Sequence, residues 1–325
     1  MPNRRHTTRL LAALALVALA GAVHAQAYPA KSVRWVVPYP AGGGSDFLAR
    51  TIGQQLSKQI AQTVVIDNKP GGNTAIAAAD VARAPADGYT ILSADNGTMV
   101  FNSALYAKLS YNPEKDLAPV TLMGKFPMIL AVGEKSEVKD AKDFIAKAKA
   151  APGRISYGSA GAGSPHHLAM ELLKVSAGLH MVHIPYRGAA PALTDLAGGQ
   201  VGAMMIDLAA GAGFFKGAKI RALAVANPTR LPQMPDVPTF AELGFKNVEA
   251  AAQVGIVAPA GTPPEVVASL QKQVSAAIQE PAVRQKLIDF GIEPVGSTPQ
   301  QYTELLRVEV QRWHKVIRDQ KISLD

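Results

Sequence analysis

The chain has 325 residues, 33 Lys and Arg against 25 Asp and Glu for a formal charge of +8, and no cysteine. The missing cysteines exclude disulfides, zinc-thiolate sites and thiol nucleophiles, so stability has to come from a full-sized core. The positive excess is mild, holds no block of five or more like charges and has few interleaved aromatics; it argues against nucleic acid and for a field that attracts small anions.

Taken in chain order, the first segment is a leader. Arg4, Arg5 and Arg9 precede the apolar run "LLAALALVALAGAV", and "VHA" ends on the small residue Ala25. This is the anatomy of a secretory signal peptide over residues 1–25, cleaved before Gln26, and the run is short for a membrane span of ~20 residues. Cleavage removes three basic residues, leaving 30 against 25, or +5. About 300 residues remain, enough for two ordinary domains.

"SVRWVVPY" is predicted as a strand and "SDFLARTIGQQLSKQI" as a helix, with Leu48, Ile52, Leu56 and Ile60 on one face. "TVVIDN" is the next strand. The turn "KPGGN" follows, then a helix "TAIAAADVARA" capped by Asn73 and a third strand "YTILSA". This β-α-β-α-β opening predicts a doubly wound sheet. A second series starts at "MILAVG", residues 128–133. It runs through the helix "AKDFIAKAKA", the strand "RISYGS", the loop "AGAGS", the helix "PHHLAMELLKVSA", the strand "MVHIPY" and the helix "PALTDLAGG". The strands "VGAMMID" and "IRALAVA" close it, "VGIVAPAGTP" adds one more, and three helices finish the chain. The terminal helices are expected to return to the first unit, so the chain divides into residues 26–127 with 251–325, and residues 128–250.

Two places repeat one device about 120 residues apart. "PYPAGGGSD" and "GSAGAGSPHH" each pass from a strand through a glycine-rich loop and a serine into a helix. Glycines let backbone N–H groups converge, and the unpaired N–H groups and dipole of a helix start favour an anion. Ser45 and Ser164 suit the N-cap, and Pro165 the first helical position. "YRGAAP" supplies a third helix start, behind Gly188. Ligands of open α/β sheets sit beyond the carboxyl ends of strands, where all three loops fall. Each loop alone reads as an ordinary capped turn; the pair points to a cleft between two units.

Nucleotides fit poorly. "AGGGSD" has an aspartate where a phosphate loop needs Lys-Ser/Thr, and His166 replaces the third glycine of a dinucleotide fingerprint. No catalytic set emerges either. Ser159 lacks the Gly-x-Ser-x-Gly elbow, and the adjacent His166 and His167 point about 100° apart on a helix. His183 alternates with Val182 and Ile184 in a strand and reads as outward-facing. Asp207 ends a strand, where it could meet a ligand N–H or cap the next turn. Arg187 could grip a carboxylate in a bidentate way or stay exposed.

Several stretches in series, "YPAGGGSDFLAR", "VVIDNKPGGNTAIAA", "ADGYTIL", "GSAGAGSPHHLAMELL", "VHIPYRGAAPALTDLAGGQV", "LPQMPDVPTFAELG" and "GIVAPAGTP", resemble the Bug family of extracytoplasmic solute receptors. The resemblance covers the whole mature chain. It implies an α/β fold of the two-lobed periplasmic binding-protein type (type II-like), each lobe a doubly wound sheet flanked by helices, with the ligand cleft between lobes. It also implies a periplasmic receptor that delivers a small carboxylate to the membrane subunits of a tripartite tricarboxylate transporter. The ligand would be a di- or tricarboxylate, an acidic amino acid or an aromatic acid. The family's cleft loops map onto Tyr39, Pro40, Ala41, Gly42, Gly43, Gly44 and Asp46; onto Ser159, Ala160, Gly161, Gly163 and Ser164 with His166 or His167; and onto Tyr186, Arg187 and Gly188. Asp207 sits at a strand end facing the cleft. In the family, backbone N–H groups and waters of the first loop hold one carboxylate, leaving Asp207, Arg187 and Asn96 to read the other end. Ala162 stands where many relatives have a polar residue. The expectation is a monomer that closes on its ligand without a cofactor, a metal or nucleic acid. A receptor that signals to a sensor kinase is a second reading, and an exported hydrolase or isomerase using Ser159 or a histidine a third.

Overall fold

The strand Val33–Val37 (β1) buries four of its five residues, and they alternate between two cores. Trp35 and Val37 pack with Leu48, Ile52 and Leu56 of α1 (Gly44–Ile60) on one face, while Val36 packs with Ala77, Ala78 and Val81 of α2 (Ala75–Ala82) on the other. Each such leucine or isoleucine contributes roughly 1.5–3 kcal/mol of burial. The computed structural model describes residues 28–325, so the expected leader at 1–25 lies outside the described residues. β1 runs parallel between β2 (Val64–Asn68) and β3 (Thr90–Ala94), which gives the expected β-α-β-α-β opening. A π-helical turn, Gly97–Phe101, leads into the short α3 (Asn102–Leu105).

The element that joins the halves of the molecule is β4 (Leu117–Gly133), 17 residues long. Its residues 117–127 pair antiparallel with β9 (Ala251–Pro259), which also pairs with β3. Its residues 128–133 pair instead with β7 (Ala203–Asp207) and β8 (Ile220–Val225). At the changeover, Met128 N donates to Ala250 O, Ala226 N to Met128 O and Ala250 N to Ala226 O. Only the second half of this strand is visible as a strand in the sequence. Pro119, Gly124 and Pro127 read as breakers in the first half, and the structure absorbs two of them with register shifts at Pro119/Thr121 and Leu122/Gly124.

Beyond β4 come α4 (Ala141–Ala150), β5 (Ser156–Ser159), α5 (Pro165–Ala177), β6 (Val182–Pro185) and α6 (Ala189–Ala197). β5 lies parallel between β6 and β7, and β4 joins β7 and β8 antiparallel, so this second unit is a mixed α/β sheet with a parallel core. A helix absent from the sequence reading, α7 (Leu208–Lys216), follows β7 directly; Gly211 and Gly213 hide its pattern. The strand order β2-β1-β3-β9-β4-β7-β5-β6 carries both lobes of a binding-protein fold on one curled sheet. The C-terminal helices α8 (Pro264–Gln279) and α9 (Pro281–Asp289) bring Leu270, Val274, Ile278 and Leu287 to the α1 core. After the two-residue strand β10 (Glu293–Pro294), α10 (Pro299–Asp319) starts with a Thr298/Gln301 capping box and sets Trp313 edge-on to Phe101, ring centres 5.2 Å apart. No helix of the described residues is long and apolar enough to cross a membrane.

Candidate functional site

Parallel strands aim their carboxyl ends, and the loops after them, at one edge. β1 and β3 bring the segments from Tyr39 and from Asp95 together, and β5 and β7 bring those from Ala160 and at Asp207. Register places Gln253 just beyond the end of β3, because Ala94 pairs with Gly255. Gln253 and Asp207 flank β4 at Lys125 and Met128, three residues or about 10 Å apart along the strand. The edges are close: a methyl group on Gly44 would lie 3.0 Å from Phe126 Cε1 and 3.5 Å from the Ala209 Cβ.

The first loop is braced from beneath. Asp46, 3% exposed, accepts from Gly42 N (2.9 Å), Arg50 Nε (2.9 Å) and Asn68 Nδ2 (2.9 Å). Burial alone would raise its pKa, but the bonds from Arg50, Gly42 and Asn68 outweigh it and hold the carboxyl below its ordinary value. Asn68 Nδ2 also donates to Tyr39 O, and the Tyr39 hydroxyl to Asp95 Oδ2 at 2.5 Å. Burial and the Asp95 charge push that phenol well above its ordinary range, so it stays a donor. Asp46 and Tyr39 are thus turned inward as loop supports. Pro40, Ala41, Gly42 and Gly43 remain exposed on the rim. The N-cap of α1 is Gly43, not Ser45 as the sequence suggests, and no side chain caps this helix. Its leading N–H groups, Gly43 to Asp46, therefore have no partner within the helix.

The other helix starts are different. At α5, Ser164 takes the expected cap, accepting from His167 N at 3.3 Å. At α7, Asp207 caps Ala210 N at 2.9 Å, and its other oxygen lies 2.9 Å from His166 Nε2. At α6, Gly188 with φ of +112° is the N-cap and donates its N–H to Ala160 O; Tyr186 N likewise donates to Ser159 O. This stitches the third loop to the second. The Tyr186 hydroxyl donates to Asp195, and Arg187 is exposed without an ion-pair partner among the described residues.

The adjacent histidines separate as the 100° step demands. His166 faces Asp207 at the cleft. His167 turns into the second lobe, where its Nδ1 accepts from Gly163 N at 3.0 Å and its ring stacks on His183 with centroids 3.8 Å apart. His183 also stacks on Tyr157 and bonds Ser159 Oγ through Nε2 at 2.7 Å, so it is not the outward-facing side chain the strand alternation predicts. Burial lowers the His167 pKa to about 3, helped by the charges of His183 and Lys174, and burial lowers that of His183 to about 4. Both rings are neutral supports beneath the loop 159–164. Ser159 and His183 form a bonded pair, yet no acid orients His183 among the described residues, and Ser159 is fully buried and bonded to Gly161. That is a loop brace without the third member of a hydrolytic triad. No cluster of three or more metal-ligating side chains occurs among the described residues.

Four buried side-chain atoms have no hydrogen-bond partner among the described residues: Ser45 Oγ, Asn96 Nδ2, His166 Nδ1 and Gln253 Oε1. All four belong to the converging segments. Asn96 and His166 are sequence candidates, Ser45 lies within the expected cleft loop Tyr39 to Asp46 as its cap, and nothing in the sequence reasoning points to Gln253. Its one available signal was a lone polar residue opening the apolar run "AAQVGIVAP". Asn73, expected to cap α2, instead has φ of 46° and bonds Asn102 Oδ1, with Thr74 as the uncapped N-cap.

The chain and its fold are similar to those of known proteins. A profile described as tripartite tricarboxylate transporter family receptor matches residues 48–322. Protein BugT of Bordetella pertussis is 34% identical over 317 residues, 96% of this chain and 97% of that one. Among solved structures, R. palustris Rpa4515 with adipate superposes with a TM-score of 0.84 at 37% identity, covering 90% of this chain and 97% of the other. MatC of Rhodopseudomonas palustris with bound malate gives a TM-score of 0.81 at 32% identity, covering 89% and 100%.

Proposed function

The chain belongs to the tripartite tricarboxylate transporter family of receptors, solute-binding proteins rather than enzymes, and on that premise we propose that it captures a small organic carboxylate between its lobes and delivers it to the transporter's membrane subunits. The observation that carries this reading is the open start of α1. Of the helix starts on this edge, α5 and α7 are closed by their own side chains; α1 and α6 have no side-chain cap, but the Gly188 N–H before α6 is spent on Ala160 O, while α1 follows a run of exposed glycines. Backbone N–H groups at such a start bind an anion without a counter-charge, and the nearby cation Arg50 is committed to Asp46. One ligand carboxylate belongs there. The adipate and malate bound by the two R. palustris neighbours are of the same chemical class.

The lobes in this reading are residues 26–127 with 251–325, and residues 128–250, hinged where β4 exchanges β9 for β7 and β8. Closure draws its free energy from contacts that only the closed form makes to the ligand. Residues 1–25 act as a cleaved signal peptide for export to the periplasm. A thermal-shift screen against di- and tricarboxylates, acidic amino acids and aromatic acids tests the proposal. A carboxylate at 100 times its Kd should add ~2.7 kcal/mol of stability. A melting point moved only by neutral or cationic compounds would overturn it.

A further inference from the structure

We propose that Asn73 is a positioning residue for ligand capture. With Leu105 and Leu324 it forms a socket that seats Gly163 of the second ligand loop, and a buried hydrogen-bond chain ties this socket to the first ligand loop. The proposal rests on the reading that the lobes close around a carboxylate, and adds what couples the two loops. Gly163 has φ of +76°, and a Cβ there would lie 2.8 Å from each of Asn73 Nδ2, Leu105 Cδ1 and Leu324 Cδ1. On the proposed division of the chain these three belong to one lobe and Gly163 to the other, so the lobes meet where no side chain fits. The walls of the socket are tied together through α3. Asn73 Nδ2 donates to Asn102 Oδ1 at 2.9 Å, Asn102 Nδ2 donates back to Asn73 O at 2.7 Å, and Leu324 N donates to Leu105 O at 2.9 Å. From its own lobe, Gly163 is held by His167 Nδ1, which accepts from its N–H.

The backbone that presents Asn73 is a costly one. Residues 71–74 all have positive φ, and Thr74, at 74°, is a β-branched residue that the left-handed region disfavours. Such strain persists only where the surroundings over-determine it, and it gathers at functional sites. Here the surroundings are a buried polar chain. The Thr74 hydroxyl lies 2.9 Å from Thr98 Oγ1, which lies 3.1 Å from Asp95 Oδ1, and Asp95 Oδ2 accepts from the Tyr39 hydroxyl. Thr74, Thr98, Asn102 and Asp95 are each at most 4% exposed. The chain thus runs from Tyr39 in the first ligand loop through Asp95, Thr98 and Thr74 to Asn73 against the second. A bond left unmade in such a buried network is expensive, so its members shift together. Ordering of the first loop by a ligand therefore favours the geometry that accepts Gly163, and seating of Gly163 favours the ordered loop.

Two measurements on the purified protein test this coupling. The chain has no cysteine, so Gln54→Cys on α1 and Thr194→Cys on α6 place one spin label on each lobe at exposed positions. Asn73→Gly keeps the left-handed backbone and removes the amide; Leu324→Ala opens the far wall of the socket. In the ligand-free protein each should lengthen the interlobe distance, read by pulsed electron paramagnetic resonance, by about 3 Å or more. Calorimetry with malate and with hexanedioate then compares Asn73→Gly, Tyr39→Phe and the double variant, with melting to confirm that each is folded. Each single change should raise Kd about fivefold, and the double variant should bind no more weakly than the weaker single one, because both cut the same chain. Distances unchanged in both socket variants, or affinity losses that add, overturn the inference and leave the carboxylate reading standing. A lengthened distance in a protein that binds only neutral or cationic compounds overturns the carboxylate reading and leaves the socket standing.

Discussion

Acidification from pH 7 to pH 5 should destabilise this protein through the stacked histidines beneath the second loop. His167 is 5% exposed, and burial, with the nearby His183 and Lys174 charges, lowers its pKa to about 3. The unfolded chain takes up the proton near its ordinary value of 6.5, and the folded chain refuses it until far lower pH. Above 6.5 both states are neutral and stability is flat. Between 6.5 and about 3 the unfolded state binds more protons, so stability falls with falling pH by about 1.4 kcal/mol per unit. For His167 alone the loss by pH 5 is about 2 kcal/mol, on the order of 4 °C in Tm for a chain of this size. His183, lowered to about 4, acts in the same direction; its ring is partly exposed, so solvent screening makes its share smaller. Asp46 and Asp80 have lowered pKa values and lose their contributions only as pH falls through the ordinary carboxylate range, below this window. The assay is thermal melting at fixed ionic strength at pH 7 and pH 5, on the wild type and His167→Gln, whose amide can still accept from Gly163 N. The variant should lose at least half of the acid-induced shift. A wild-type Tm that is flat between the two pH values, or a variant shift equal to the wild type's, refutes the reasoning.

Three substitutions probe the cleft from other sides. Ser45→Ala removes a hydroxyl with no partner among the described residues, so stability should stay within about 0.5 kcal/mol while Kd for the ligand rises roughly tenfold, the worth of one hydrogen bond to a charged group; calorimetry paired with melting separates the two effects. Gly163→Ala adds a Cβ at φ of +76°, placed 2.8 Å from Asn73 Nδ2, Leu105 Cδ1 and Leu324 Cδ1. It should weaken ligand binding more than tenfold by holding the second loop away from the first lobe, and wild-type affinity would show that this contact is dispensable. Asp46→Ala strips the acceptor from Gly42 N, Arg50 and Asn68 and should cost about 1–3 kcal/mol in urea unfolding, together with a loss of ligand affinity.

Local periodicity and glycine placement made much of this molecule legible in its sequence. Leu48, Ile52 and Leu56 repeat every four residues because a helix buries one stripe, and "VRWVV" is nearly all apolar because a parallel strand is covered on both faces. Loop chemistry exposed the three helix starts, and the serial motifs carried the family. The first half of β4 and all of α7 were illegible, since their prolines and glycines break the local pattern and only partner strands and neighbouring helices compensate. Which polar residue faces a ligand was not legible either. Asp46, Tyr39, Ser159 and His167 occupy the loops that the sequence marks yet point inward as braces, while Ser45 and Gln253 keep atoms without a partner among the described residues. A sequence fixes which groups a loop can offer, through spacing and backbone preference. The direction of each side chain, and hence whether it braces the loop or meets the ligand, is decided by what other elements put beside it, and only the tertiary structure holds that.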